Sequence, residues 1–161
     1  MRAILISDPT LRDGNHAVKH QLNANQIAKY CIAAESAGIP IVEVGHGNGI
    51  GASSLQLGIA KLTDNEILSI ARTHLKKSRL GIHIIPGFAT IEKDLCPAID
   101  KGVDVVRVAS HCSEADITER HIQFVRIREK IVYGVLMMAH MLSSKESVSY
   151  THLTLPTILR V

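Results

Sequence analysis

Five short runs rich in β-branched residues, at 3–7, 39–44, 80–85, 103–108 and 131–137, alternate along this chain with segments of helical periodicity. Each run is strand-length. The clearest helical segment places Ile67, Leu68, Ala71 and Leu75 on one face, with Glu66, Arg72 and Lys76 elsewhere. It opens on Thr63-x-x-Glu66, a capping box in which each side chain satisfies a backbone N–H of the other residue. Asn23-x-x-Gln26 opens the first helix in the same way, Thr90 opens the third, and Ser113 with Asp116 opens the fourth. Gly38 and Gly102 stand where a helix needs a left-handed residue just past its end. The order is therefore β-α-β-α-β-α-β-α-β. Each helix returns the chain to start a strand in the same direction, so the sheet is parallel and its crossovers are right-handed.

With 161 residues, 46% hydrophobic and 20% charged, the chain has the composition of one soluble globular domain or a piece of one. Its net charge of +3 is spread without a basic run, which argues against a nucleic-acid surface. The longest nearly apolar stretch, 131–142, falls short of the ~20 residues that cross a bilayer. Four apolar residues after Arg2 are too few for the core of a signal peptide, so the expected location is cytoplasmic. Cys31, Cys96 and Cys112 are odd in number, lack a C-x-x-C spacing and read as buried thiols.

Two architectures accommodate the alternation: an open doubly wound sheet, which the length favours, and the first part of a β/α barrel, which normally takes about 250 residues. The positions of the polar clusters favour the barrel. They follow strand one (Asp8 to His16), strand two (Gly45 to Gly51), strand three (Pro86 and Gly87), strand four (Ser110 to Ser113) and strand five (Ala139 and His140). A barrel gathers all those strand ends around one mouth, whereas a doubly wound sheet concentrates ligand groups at one switch point. The expected fold is the N-terminal part, about five βα strands, of an incomplete (β/α)8 TIM barrel.

Arg12, Asp13 and His16 place a guanidinium fork, a hard-oxygen carboxylate and a titratable imidazole within five residues of a strand end. Arg can bind a carboxylate bidentately and stabilise an enolate, Asp can ligate a divalent metal, and His can move a proton near neutral pH. The alternative is a solvated loop in which Arg12 and Asp13 cap structure. The segment Gly45-His-Gly-Asn-Gly-Ile-Gly51 lacks the Lys-Ser/Thr of a phosphate loop and the G-x-G-x-x-G spacing of a dinucleotide fold. Its glycines instead suit close backbone approach at the mouth. His46, His111 and His140 each end a strand and could line that mouth together. Strand alternation puts Glu43 and Arg107 on inward faces, where they are expected to form a buried ion pair beneath the site.

The stretches Asp8-Pro-Thr-Leu-Arg-Asp-Gly-Asn-His-Ala17, Val42-Glu-Val-Gly-His-Gly-Asn-Gly-Ile-Gly51, Val106-Arg-Val-Ala-Ser-His-Cys-Ser-Glu-Ala-Asp116 and Met137-Met-Ala-His-Met141 resemble, in order, those of the 4-hydroxy-2-oxovalerate aldolases. These form the pyruvate-aldolase branch of the HMG-CoA lyase-like superfamily. The resemblance implies a manganese-dependent (or other divalent-metal) barrel that cleaves 4-hydroxy-2-oxovalerate to pyruvate and acetaldehyde. It implies that Arg12 stabilises the pyruvate enolate, Asp13 ligates the metal and His16 assists proton transfer at the 4-hydroxyl. It also implies an acylating acetaldehyde dehydrogenase as partner. Aldehyde chain length and pathway, aromatic catabolism or a biosynthetic cluster, stay open.

The family's other metal ligands, a His-x-His pair on a later strand, and its late catalytic Tyr have no counterpart here. The expected domain therefore spans 1–146 and is inactive alone, with strand edges that favour aggregation. Residues 147–161, from Ser147-Val-Ser-Tyr-Thr-His-Leu-Thr-Leu-Pro156 onward, read as a non-native, adaptor-derived tail. Two other functions stand beside the aldolase. One is a Claisen-type acyl-CoA synthase or lyase of the same superfamily, against which Asn15-His16 in place of Glu-Gln argues. The other is a non-catalytic half-barrel.

Overall fold

The computed structural model describes residues 4–145 and 148. The expected tail, 147–161, lies outside the described residues apart from residue 148. Five parallel strands form one sheet in the order β1-β2-β3-β4-β5, a half-barrel: β1 (Ser7–Asp8), β2 (Ile41–Val44), β3 (Arg79–Ile84), β4 (Val105–His111) and β5 (Ile131–Met137). This is the expected part of an incomplete β/α barrel. Between the strands run α1 (Thr10–Asp13), α2 (Ala24–Ser36), α3 (Asp64–His74), α4 (Cys96–Asp100) and α5 (Glu119–Ile127).

One face of the sheet is the apolar core. Val42 and Val44, Leu80, Ile82 and Ile84, and Val106 and Val108 meet Ile27 and Cys31 of α2, Ile67, Leu68 and Ala71 of α3, and Ile122 and Val125 of α5. Alternation sends Glu43, Gly81, His83 and Arg107 to the opposite, inward face. The register sets Glu43 beside Gly81 and His83 beside Arg107.

Both capping boxes form: Asn23 with Gln26 on α2 and Thr63 with Glu66 on α3. Thr90 accepts from Lys93 N and opens a π turn, Ile91–Leu95, that runs into α4. Gly38 and Gly102 have φ of +71° and +91°. Cys31 and Cys112 are buried as expected, whereas Cys96, expected to be buried too, is only half-buried. Burial pushes the Cys31 thiol up to about 11.

Two further local expectations are corrected. Among the described residues the first strand, expected over 3–7, is paired only at Ser7 and Asp8, against Ile41 and Val42. The next pair would set Ile6 opposite Pro40, which has no N–H to give the ladder. The fourth helix does not begin at Ser113 or Asp116. A 3-10 turn, Cys112–Thr118, comes first, its Ser113 N–H donating to the His111 ring, and α5 begins at Glu119.

The end of α2 is tied to the entry of β3 by one carboxylate: Glu35 accepts from Lys77 N at 2.7 Å and Ser78 N at 3.0 Å. These backbone donors, Ser78 first, pull its pKa from 4.5 down to about 2. Because the folded value is the lower one, the stabilisation is present above pH 4.5 and is lost as pH falls toward 2. Urea unfolding across that range should show Glu35→Gln less stable than wild type at neutral pH, with the two converging near pH 2.

Candidate active site

Asp8, at the end of β1, accepts from the Thr10 N–H at 3.0 Å and the Thr10 hydroxyl at 2.6 Å. This winds residues 10–13 into one turn of helix and points Arg12 back over the sheet. Arg12 Nε donates to Glu43 Oε1 at 2.6 Å, and Arg107 Nη1 donates to Glu43 Oε2 at 3.0 Å. The expected Glu43–Arg107 pair is present, reaching from β2 across β3 to β4. Arg12 is the additional and closer partner. Its Nη1 also donates to Asp13 Oδ1 at 2.8 Å and to Gly47 O at 3.2 Å. Glu43 is 1% exposed and Asp13 67% exposed, so one guanidinium joins a buried carboxylate to a solvated one.

His16 closes the 3-10 turn Gly14–His16, with its ring against the Cα of Gly47. A Cβ at Gly47 would meet His16 ring atoms at 2.4–2.5 Å, so only glycine leaves room for the ring there. Behind it lies an imidazole pair. His20 and His46 stack with centroids 3.6 Å apart, and His16 meets the His20 ring edge-on at 5.1 Å. His46 Nδ1 accepts from Asn48 N, which leaves the proton on Nε2 to donate to Gly58 O at 3.0 Å. His20 Nδ1 accepts from Gly47 N. Burial pushes both pKa values below the usual imidazole range, so both rings are neutral and pin the loop after β2. His20 holds a left-handed φ of +61°, a strained backbone locked by its N–H to Asn15 O and its carbonyl from Lys61 N.

Arg12, Asp13 and His16 therefore lie together, Arg12 bonded to Asp13 and to the Gly47 carbonyl and His16 against the Gly47 Cα. His46, His111 and His140 each have different neighbours. His46 is buried and joins His16 and His20, the His111 ring accepts from Ser113 N, and His140 sits exposed in a 3-10 turn, Ala139–Met141. His20 escaped the sequence reading because its stacking partner, His46, lies 26 residues away. His83 escaped inside an apolar run. Its only signal is that it is the one imidazole in that run and shares a face with Gly81.

Among the described residues no three His, Cys, Asp or Glu side chains converge where a metal ion could sit. Asp13 offers one carboxylate, already paired with Arg12, and one such ligand cannot set a catalytic ion's geometry. The described donor set does not by itself fit a divalent cation. No described helix is long and apolar enough to cross a membrane.

The HMGL-like family matches residues 3–152. The chain is 68% identical over 139 residues to the 4-hydroxy-2-oxovalerate aldolase of Spirochaeta aurantia, covering 86% of this chain and 41% of that protein. It is 61% identical over 142 residues to the enzyme of the same name from Pectobacterium atrosepticum, covering 88% of this chain and 41% of the relative. The chain thus spans about 41% of the length of these curated relatives. In fold it is similar to the carboxyl transferase domain of Rhizobium etli pyruvate carboxylase, with a TM-score of 0.67 at 16% identity over 95% of this chain and 28% of that one.

Removing the shared carboxylate leaves two guanidiniums without their partner, so Glu43→Gln should lower unfolding stability by about 3–5 kcal/mol in urea titrations. Gly47→Ala should leave the circular dichroism spectrum unchanged while shifting the His16 imidazole NMR resonances.

Proposed function

This chain belongs to the HMGL-like family, and on that premise we propose that it is the N-terminal part of an aldolase cleaving 4-hydroxy-2-oxovalerate, or a close 4-hydroxy-2-oxo acid, to pyruvate and an aldehyde. The observation that carries the reading is the Arg12 guanidinium, oriented by buried Glu43 at 2.6 Å, with Asp13 and His16 beside it at the end of the first strand. Retro-aldol cleavage needs what this corner offers. His16 takes the 4-hydroxyl proton, the C4–O bond becomes a carbonyl as C3–C4 breaks, and the electron pair moves to the C2 oxygen of the pyruvate enolate. Arg12 faces that oxygen with a fixed positive charge. Protonation at C3 then yields pyruvate.

Manganese, or another divalent ion, belongs to the proposal with Asp13 as one ligand; the described residues supply no second. An acylating aldehyde dehydrogenase that consumes the aldehyde, and a cytoplasmic setting, belong to it as well. The relatives' shared name and a family match over residues 3–152, a span that includes Arg12, Asp13 and His16, support the reading.

The test is pyruvate release from 4-hydroxy-2-oxovalerate by the full-length protein with Mn2+, followed by coupled lactate dehydrogenase. Release that stops with EDTA and returns with Mn2+ is expected, as is a loss of about 10²–10³-fold in Arg12→Ala. The 161-residue chain alone should release none. Condensation of acetyl-CoA with a 2-oxo acid, without cleavage of the hydroxy acid, would overturn the aldolase in favour of a Claisen-type synthase.

A further inference from the structure

β3 carries an imidazole that neither the core nor the chemistry above uses. His83 is 6% exposed, and its Nδ1 is buried with no hydrogen-bond partner. A polar atom kept dry and unpaired lowers stability, and a leucine would fill the volume without that penalty. The carbonyl of the same residue is engaged, accepting from Ile50 N at 2.9 Å. Gly49, with φ of +97°, lies so close that a Cβ there would meet the His83 carbonyl oxygen at 2.3 Å and ring Cδ2 at 3.3 Å. The loop after β2 thus presses on His83 and still gives Nδ1 nothing to bond.

Alternation settles which way the ring faces. Leu80, Ile82 and Ile84 enter the helix-facing core, so His83 stands on the inward face with Glu43 and in register with Arg107. Burial pushes its pKa down to about 4, and the guanidinium of Arg12 adds to the effect. The ring is therefore neutral at physiological pH. A neutral imidazole can donate to a carbonyl, carboxylate or alkoxide oxygen, or accept from a hydroxyl.

We propose that His83 contacts the substrate, its Nδ1 completing a hydrogen bond with an oxygen of the 2-oxo acid held against Arg12. The inference rests on the aldolase reading for the identity of that acid. It makes His83 a specificity determinant, because a buried polar group left unpaired by a ligand lacking the matching oxygen discriminates against that ligand.

Two measurements on the full-length protein test it. In steady-state kinetics, His83→Leu should raise KM for 4-hydroxy-2-oxovalerate tenfold or more with kcat within threefold, and His83→Gln should recover most of the loss. If the oxygen belongs to the pyruvyl half, the inhibition constant of pyruvate rises in parallel. If it belongs to the 4-hydroxy half, that constant is unchanged. A folded His83→Leu protein with KM and kcat within twofold of wild type would overturn the contact.

The second measurement does not need turnover. The protein is labelled with 15N-histidine and loaded with Mg2+ in place of paramagnetic Mn2+, and the His83 resonance is assigned by its absence in His83→Asn. Pyruvate is added, then acetaldehyde. A shift at the first or second addition supports the contact and tells which half carries it; no shift at either overturns it. A wild-type protein that cleaves no hydroxy acid brings down the aldolase reading, while the titration still decides His83.

Discussion

The carboxylate of Glu43 holds three parts of the chain at once. Taking it out of water costs several kcal/mol, which two guanidiniums, at 2.6 and 3.0 Å, offset. Arg12 comes from the turn after β1, Glu43 from β2 and Arg107 from β4, so the triad braces the inward face across β3. The opposite face needs no such device, since Val, Ile and Leu side chains pack there without polar atoms to satisfy. The sheet therefore has an apolar side that stabilises it and an ionic side that orients chemistry. The residue that orients Arg12 is the same one that ties it to the barrel.

The loop after β2 extends this logic through close approach. Gly47 touches three functional elements: its carbonyl accepts from Arg12, its N–H donates to His20, and its bare Cα lies under the His16 ring. Gly49 does the same for His83. Side chains at these positions would push His16 and His83 out of place. Stacked behind them, His20 and His46 keep the loop in place as neutral rings, with each proton position set by a backbone N–H. Neutrality matters, because a proton on either Nδ1 would displace the backbone N–H that it accepts.

Local rules made much of this legible from residue order alone. The capping boxes at Asn23 and Thr63 depend on residues three apart, and both formed. Period-two alternation reached further and placed Glu43 opposite Arg107 correctly. It could not find Arg12 as the nearer partner, because Arg12 lies on a single helical turn whose direction is set by Asp8 and Pro9, not by any periodicity. Proximity of His16, His20 and His46 depends on a strained turn meeting a glycine loop, which no spacing encodes. His111 looked like a site residue at a strand end. Its ring instead accepts from Ser113 N, which also explains why α5 begins later than its Ser and Asp suggested. Residues 4–6 have strand composition, yet the ladder with β2 begins only at Ser7, and the Ile39 N–H is already given to Ala34 O.

Arg12 also shows how a rigid site can still exchange ligands. Its Nε is committed to a carboxylate that is 1% exposed, while its Nη1 is shared between the Gly47 carbonyl and a carboxylate that is 67% exposed. A solvated ion pair is worth about 0–1 kcal/mol, whereas breaking a buried one leaves a charge stranded. An incoming anion can therefore take the place of Asp13 on Nη1 without disturbing Glu43 on Nε. The fork keeps its orientation while its outer face changes partner. On the aldolase reading that is what an enolate requires: a guanidinium already aimed before the charge develops, with a donor that is free to follow it.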